Sequence, residues 1–149
     1  MTRSTAREIA VQLVFELEFQ DHDAKTLVDE RLTQDYFDSM KDEMELYAER
    51  PSGKQLDYIR TVVCGVQEHW LELNGLIEQY AVGWNLKRIS RLAKAAMRVA
   101  LFECRYVDDV PENVAIGEAV KLLKNYEDAD VVGFVNGILG SYAREASKC

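Results

Sequence analysis

The stretch Arg91-Leu-Ala-Lys-Ala-Ala-Met-Arg-Val-Ala-Leu-Phe-Glu103 constrains this chain more than any other. Wound at about 100° per residue, it places Leu92, Ala95, Ala96, Val99, Ala100 and Phe102 in core-like directions, so that small and apolar side chains cover most of its circumference. A helix clothed in this way is stable only when neighbours cover it on several sides. The same stretch carries Arg91, Lys94, Arg98 and Arg105 along one narrow stripe at i, i+3, i+7 and i+14, joined by Lys87 if the helix starts early. It therefore predicts a central helix with one cationic edge, around which the rest of the chain packs.

Nothing elsewhere competes with a helical reading. Ala, Leu, Glu, Lys and Arg abound, there are two prolines, and no run alternates apolar and polar residues over the length of a strand. The fold class is all-α. At 149 residues the chain is one domain, long enough to bury a core without disulfides. Cys64, Cys104 and Cys149 are odd in number, far apart and form no Cys-x-x-Cys pair, so neither a disulfide framework nor a zinc site is expected. The amino terminus has no basic-then-apolar signal pattern, and no apolar run approaches the roughly 18 residues of a membrane span. A cytoplasmic protein without membrane association is the expectation.

The formal charge of −8 argues at first against a nucleic-acid partner, because binding a polyanion rests on cations that displace its counterions. Its distribution reverses that argument. Residues 16 to 50 hold twelve acids and four bases, so the remainder of the chain is neutral. Within that remainder, residues 85 to 105 hold six bases against Glu103 alone. A basic patch survives in an acidic protein.

Taken in order, Thr5-Ala-Arg-Glu8 has the spacing of a capping box and predicts a first helix running to about Asp21. Ala6, Ala10, Leu13, Val14 and Leu17 form its core stripe. A second stripe of Val11, Phe15 and Phe19 needs a cover as well, from another helix of the same domain or from a protein partner. After a turn at His22 to Lys25, an acidic helical region reaches about Ala48, its acids forming a solvated face. From Lys54 to Tyr80 apolar residues keep helical spacing, in one long helix or two nearly collinear ones with Asn74-Gly75 as the break. The central helix follows, then a loop at Pro111 and a helix from Val114 to Tyr126 with Lys121 and Lys124 outward. The last helix, from about Val131 to Ala146, carries Gly133, Gly137 and Gly140 along one face. Each costs about 1 kcal/mol against Ala in a helix interior, which implies close approach of another helix or of a ligand.

No catalytic constellation can be assembled. Asp108, Asp109 and Glu112 have no companion histidine, nucleophile or phosphate-binding glycine loop, and His69 lacks partner ligands at metal-binding spacing. No enzyme activity, metal or cofactor is expected.

Several ordered motifs together resemble the NusB transcription antitermination family. They are Met97-Arg-Val-Ala-Leu-Phe-Glu103, Val110-Pro111, Val114-Ala-Ile-Gly-Glu-Ala-Val120 with Lys124 and Tyr126, and Phe134-Val-Asn-Gly-Ile-Leu139. Ala6-Arg-Glu-Ile-Ala-Val-Gln-Leu13, Gly65-Val66, His69 and Trp84 extend the likeness over nearly the whole chain. The resemblance implies a compact bundle of about seven helices in two subdomains, here about 1–80 and 81–149. It implies a protein that binds the boxA element of nascent ribosomal RNA transcripts together with NusE, a small-subunit ribosomal protein, so that RNA polymerase resists termination.

Carried across residue by residue, the resemblance places RNA contacts at Arg3 and Arg7, at Lys87, Arg91, Lys94, Lys121 and Lys124, and at Asp130 and Phe134 where the last helix starts. It places NusE contacts at Val11, Phe15, Phe19 and Ala93. Only Arg3 and Arg7 lie before the first helix is established, Ala93 stands where many members have an acid, and Gly117 stands where they have asparagine. Arg98 and Glu103 are either structural or functional. An interaction scaffold with weak or lost RNA binding is the second reading, and an apolar stripe of this kind also allows a homodimer.

Overall fold

Thr2, rather than Thr5, starts the first helix. Its Oγ1 accepts the Thr5 N–H at 3.1 Å, so α1 spans Arg3–Phe19 and Thr5 lies inside the first turn. In this computed structural model the described residues are 1–19 and 23–146, and the expected helix end at Asp21 and turn at His22 lie outside them. Ala6, Ala10, Leu13 and Val14 of the expected stripe are buried, Leu17 is half-buried, and Ile9, outside the stripe, is buried too.

The acidic region is not one helix but α2 (Ala24–Arg31), α3 (Gln34–Met40) and a 3-10 turn at Glu45–Tyr47. Each helix has its own cap: Asp23 Oδ2 accepts the Thr26 N–H at 3.3 Å, and Thr33 Oγ1 accepts the Tyr36 N–H at 3.1 Å. The second cap divides what apolar spacing alone runs together. Leu27, Val28, Leu32, Phe37 and Tyr47 are buried, while Asp29, Glu30, Asp35, Asp38, Asp42 and Glu43 are exposed, as a solvated acidic face requires. Next comes α4 (Gly53–Glu68), burying Ile59, Val62, Val63 and Val66. Gln67 Oε1 accepts the Ala24 N–H at 2.8 Å, fastening α4 to the start of α2.

The helical run from 54 to 80 breaks at His69, not at Asn74-Gly75. His69 leaves helical geometry with its ring stacked on Tyr106 at 4.2 Å, whereas Gly75 sits exposed within α5 (Trp70–Tyr80). Because α5 packs on helices that follow it in sequence, the chain divides into the compact units Met1–Gln67 and Glu68–Cys149, not near residue 80. These two breaks raise the helix number among the described residues to eight.

The second unit is built on α6 (Arg91–Tyr106), which packs against α5, α7 (Glu112–Leu123) and α8 (Ala129–Ala146). Ala93 and every residue from Ala95 to Glu103 are buried, so the stretch that predicted a central helix is one. Ser90 Oγ accepts the Ala93 N–H at 3.0 Å and caps it, a contact worth about 1 kcal/mol. Lys87 lies before that cap, in a 3-10 turn at Leu86–Arg88, and so is not part of the helical stripe. The glycines of α8 are not packed against a neighbouring helix: a Cβ at Gly133 or Gly137 would meet nothing within 4 Å. No helix of the described residues is long and apolar enough to cross a membrane.

Candidate nucleic-acid interface

One side-chain contact organises the basic end of the second unit. Ser90, besides capping α6, donates its hydroxyl to Glu127 Oε1 in the turn between α7 and α8. Arg91, the first residue of α6, is thereby held at the same end as Lys124, which ends α7 three residues before Glu127. Arg91, Lys121 and Lys124 are exposed, as are Lys87 and Arg88 in the turn preceding Ser90. Asp128 Oδ1 accepts the Val131 N–H at 3.0 Å and caps α8, and Asp130 stands exposed in its first turn, where the helix dipole favours an acid.

Trp84, three residues before Lys87 in the chain, belongs to an aromatic pair. Trp84 is 45% exposed, and its ring lies 4.1 Å from that of Phe134, which is half-buried. The turn that presents Trp84 depends on Gly83, whose φ of +84° is a left-handed conformation costly for any residue with a Cβ. The Trp84 N–H closes that turn on the Ala81 carbonyl at 2.9 Å. Exposed cations beside an accessible aromatic face are the chemistry that binds single-stranded RNA: the cations meet phosphates and the ring stacks on an unpaired base.

The structure separates the remaining candidates. Of the helical stripe, Arg98 is buried, with Nε donating to Asn74 Oδ1 at 2.8 Å and its guanidinium 4.1 Å above the Trp70 ring. Arg105 pairs with Glu72 at 3.3 Å, and Glu72 also accepts the Tyr106 hydroxyl. Lys94 is half-buried and lines a small recess of about 180 Å³ with Glu78 and Arg98. The expected continuous cationic edge is therefore absent, and its exposed part is the Arg91 end.

Two expected contacts in the first unit also change. Arg3 is half-buried and stacks over Tyr58 at 4.1 Å, with Nε donating to Gln55 Oε1 at 2.9 Å. Arg7 is buried, its guanidinium 5.7 Å from the same ring. The amino-terminal arginines thus serve the α1–α4 packing. The partner stripe thins in the same way, because Val11 is 2% exposed and Ala93 wholly buried, which removes both as surface contacts. Phe15 and Phe19 stay together, edge to face at 4.7 Å, with Phe19 51% exposed.

In the sequence Trp84 stands out only through the resemblance, and Ser90 not at all. Trp84 carried a signal, a tryptophan next to glycine in a turn; the Ser90–Glu127 contact spans 37 residues and had none. Among the described residues, no three His, Cys, Asp or Glu side chains are grouped to hold a metal ion.

Comparison with known proteins gives a consistent picture. A family model described as "NusB family" matches residues 4–144. A "Transcription antitermination protein NusB" of Symbiobacterium thermophilum is 37% identical over 144 residues, which is 97% of this chain and 90% of the relative. The protein of the same name from Acetivibrio thermocellus shows the same identity and coverage. Among solved structures, NusB of T. maritima superposes with a TM-score of 0.79 at 27% identity, covering 97% of this chain and 92% of that one.

Proposed function

The chain belongs to the NusB family, and we propose that it acts as a transcription antitermination factor by binding boxA-type RNA of nascent ribosomal transcripts together with NusE. In that assembly it helps RNA polymerase resist termination, in the cytoplasm and without catalysing a reaction of its own. The observation that carries the reading is the Ser90–Glu127 contact, which joins the chain segment of exposed Lys87 and Arg91 to that of exposed Lys121 and Lys124, as the Trp84–Phe134 contact joins the residues flanking the two segments. The cations position phosphates, and base recognition falls to the aromatic pair and neighbouring polar groups. Phe15 and Phe19 form the proposed NusE contact: Phe19 is exposed and Phe15 half-buried, and apolar surface of this kind is costly unless a partner covers it. A homodimer through the same pair is the competing use of that surface.

The engagement of Arg3 and Arg7 with Tyr58 favours a second reading, a NusB-like scaffold with weak RNA binding. Titration of a labelled boxA-like RNA, with and without NusE, over a range of salt concentrations separates the two. Salt-sensitive binding strengthened by NusE supports the first. NusE binding with no RNA signal at any salt concentration supports the second.

A further inference from the structure

A groove of about 510 Å³ runs along α8 beyond the Trp84–Phe134 pair. Tyr80, Val82 and Trp84 line one side, and Gly137, Ser141 and Arg144 the other. Both aromatic walls are held from behind: Phe134 backs Trp84, and Tyr142 meets Tyr80 edge-on at 5.8 Å. The polar side is ordered too. Arg144 folds back along α8 so that Nη2 donates to Ser141 Oγ at 3.0 Å, and its Nη1 lies 3.4 Å from where a Cβ at Gly140 would stand. A methyl at 140 would therefore just touch the guanidinium. Gly137 leaves the groove floor open, since a Cβ built there meets nothing. Of the α8 glycines, Gly137 thus finds a use here that helix packing does not supply.

The charges of the lining indicate the ligand class. Arg144 and the adjacent Glu145 oppose each other, so the groove does not favour a phosphate or carboxylate as a cation cluster would. Aromatic walls with a mixed set of donors and acceptors, including Gln79 and Ser141, suit a flat neutral group with both on its edge. We propose that this groove holds one unstacked nucleobase of the bound RNA, its face on Trp84 and its edge toward Ser141 and Arg144. The inference rests on the RNA reading above and gives the base that stacks on Trp84 its edge contacts, at Ser141 and Arg144.

Gly137→Leu tests it, because Gly137 lines the groove and a Cβ built there meets nothing within 4 Å. The probe is a fluorescein-labelled, single-stranded boxA-like RNA and a series in which each base in turn is replaced by an abasic site. Wild-type protein should lose about 5- to 150-fold in affinity at one abasic position, the range for a stacked base. Gly137→Leu, with unchanged helical circular dichroism, should bind the intact RNA weakly by a similar factor and be indifferent to that position. Arg91→Ala should weaken every member of the series alike.

Gly137→Leu binding the intact RNA as wild type does would overturn the base site while leaving RNA binding in place. A Gly137→Leu defect that appears only when NusE is present assigns the groove to protein and overturns it as well. If wild-type protein binds no RNA with or without NusE, the RNA reading itself fails.

Discussion

Arg98 and Arg91 sit on the same helical stripe seven residues apart, and replacing each by alanine should have opposite consequences. Arg98 is 5% exposed, donates to Asn74 at 2.8 Å and covers the Trp70 ring at 4.1 Å. A hydrogen bond from a charged group contributes about 1.5–3 kcal/mol, and a largely desolvated cation–π contact about 1–2 kcal/mol more. Asn74 is half-buried and can recover water, so the lower part of the combined range applies. The expected loss for Arg98→Ala is about 3 kcal/mol, a large share of the 5–15 kcal/mol that stabilises a typical domain. Urea unfolding followed by tryptophan fluorescence should show a correspondingly lower midpoint, while Arg91→Ala stays within about 0.5 kcal/mol of wild type. A cycle with Asn74→Ala should return a coupling of at least about 1 kcal/mol. If Arg98→Ala unfolds like wild type but loses RNA affinity as Arg91→Ala does, Arg98 is a surface contact and the assignment of the stripe is wrong.

Three further outcomes follow from the same geometry. Arg91→Ala and Lys124→Ala should each weaken binding of boxA-like RNA and make the slope of log K against log salt shallower by about 0.7, the value for one single-strand phosphate contact; an unchanged slope would mean that neither touches phosphate. Phe15→Asp should weaken NusE association with helical circular dichroism intact, whereas Val11→Asp, at a position 2% exposed, should unfold the first unit; the reverse pattern would exchange their roles. Burial first, then the charges of Glu112 and Glu103, pushes the Cys104 thiol up to about 12. At pH 8 its thiolate fraction is then on the order of 10⁻⁴, against about a quarter for a free cysteine, so in a Cys149→Ser background iodoacetamide should label Cys104 far more slowly than a model thiol, and equal rates would contradict its burial.

The central helix was legible because its evidence is local: a burial pattern repeated over four turns leaves few alternatives. The cationic stripe was legible only as a direction. Periodicity puts Arg91, Lys94, Arg98 and Arg105 on one side of α6 but cannot say that Asn74 and Trp70 wait above Arg98 or that Glu72 meets Arg105, since those partners come from α5. The same limit explains the first unit, where Arg7 and Val11 read as surface until burial removes them from it. Serine and threonine caps set the element boundaries against apolar spacing: Thr33 splits the acidic helix and Thr2 displaces Thr5.

The glycines of α8 show where such reasoning turns from fold to function. Three glycines in one helix sacrifice on the order of 3 kcal/mol of helix propensity, and a neighbouring helix would have been a sufficient explanation had one been there. Among the described residues none lies within 4 Å of a Cβ at Gly133 or Gly137, and at Gly140 the near group is the guanidinium of Arg144. A cost that packing does not offset within the chain is expected where something outside the chain approaches. Gly137 lines the groove beside Trp84, and Gly133 lines a separate recess with Lys124 and Glu127 at the basic end. Gly133→Ala and Gly137→Ala should therefore each stabilise the isolated protein, by up to about 1 kcal/mol. A destabilised Gly137→Ala would show that the helix, and not a ligand, requires that glycine.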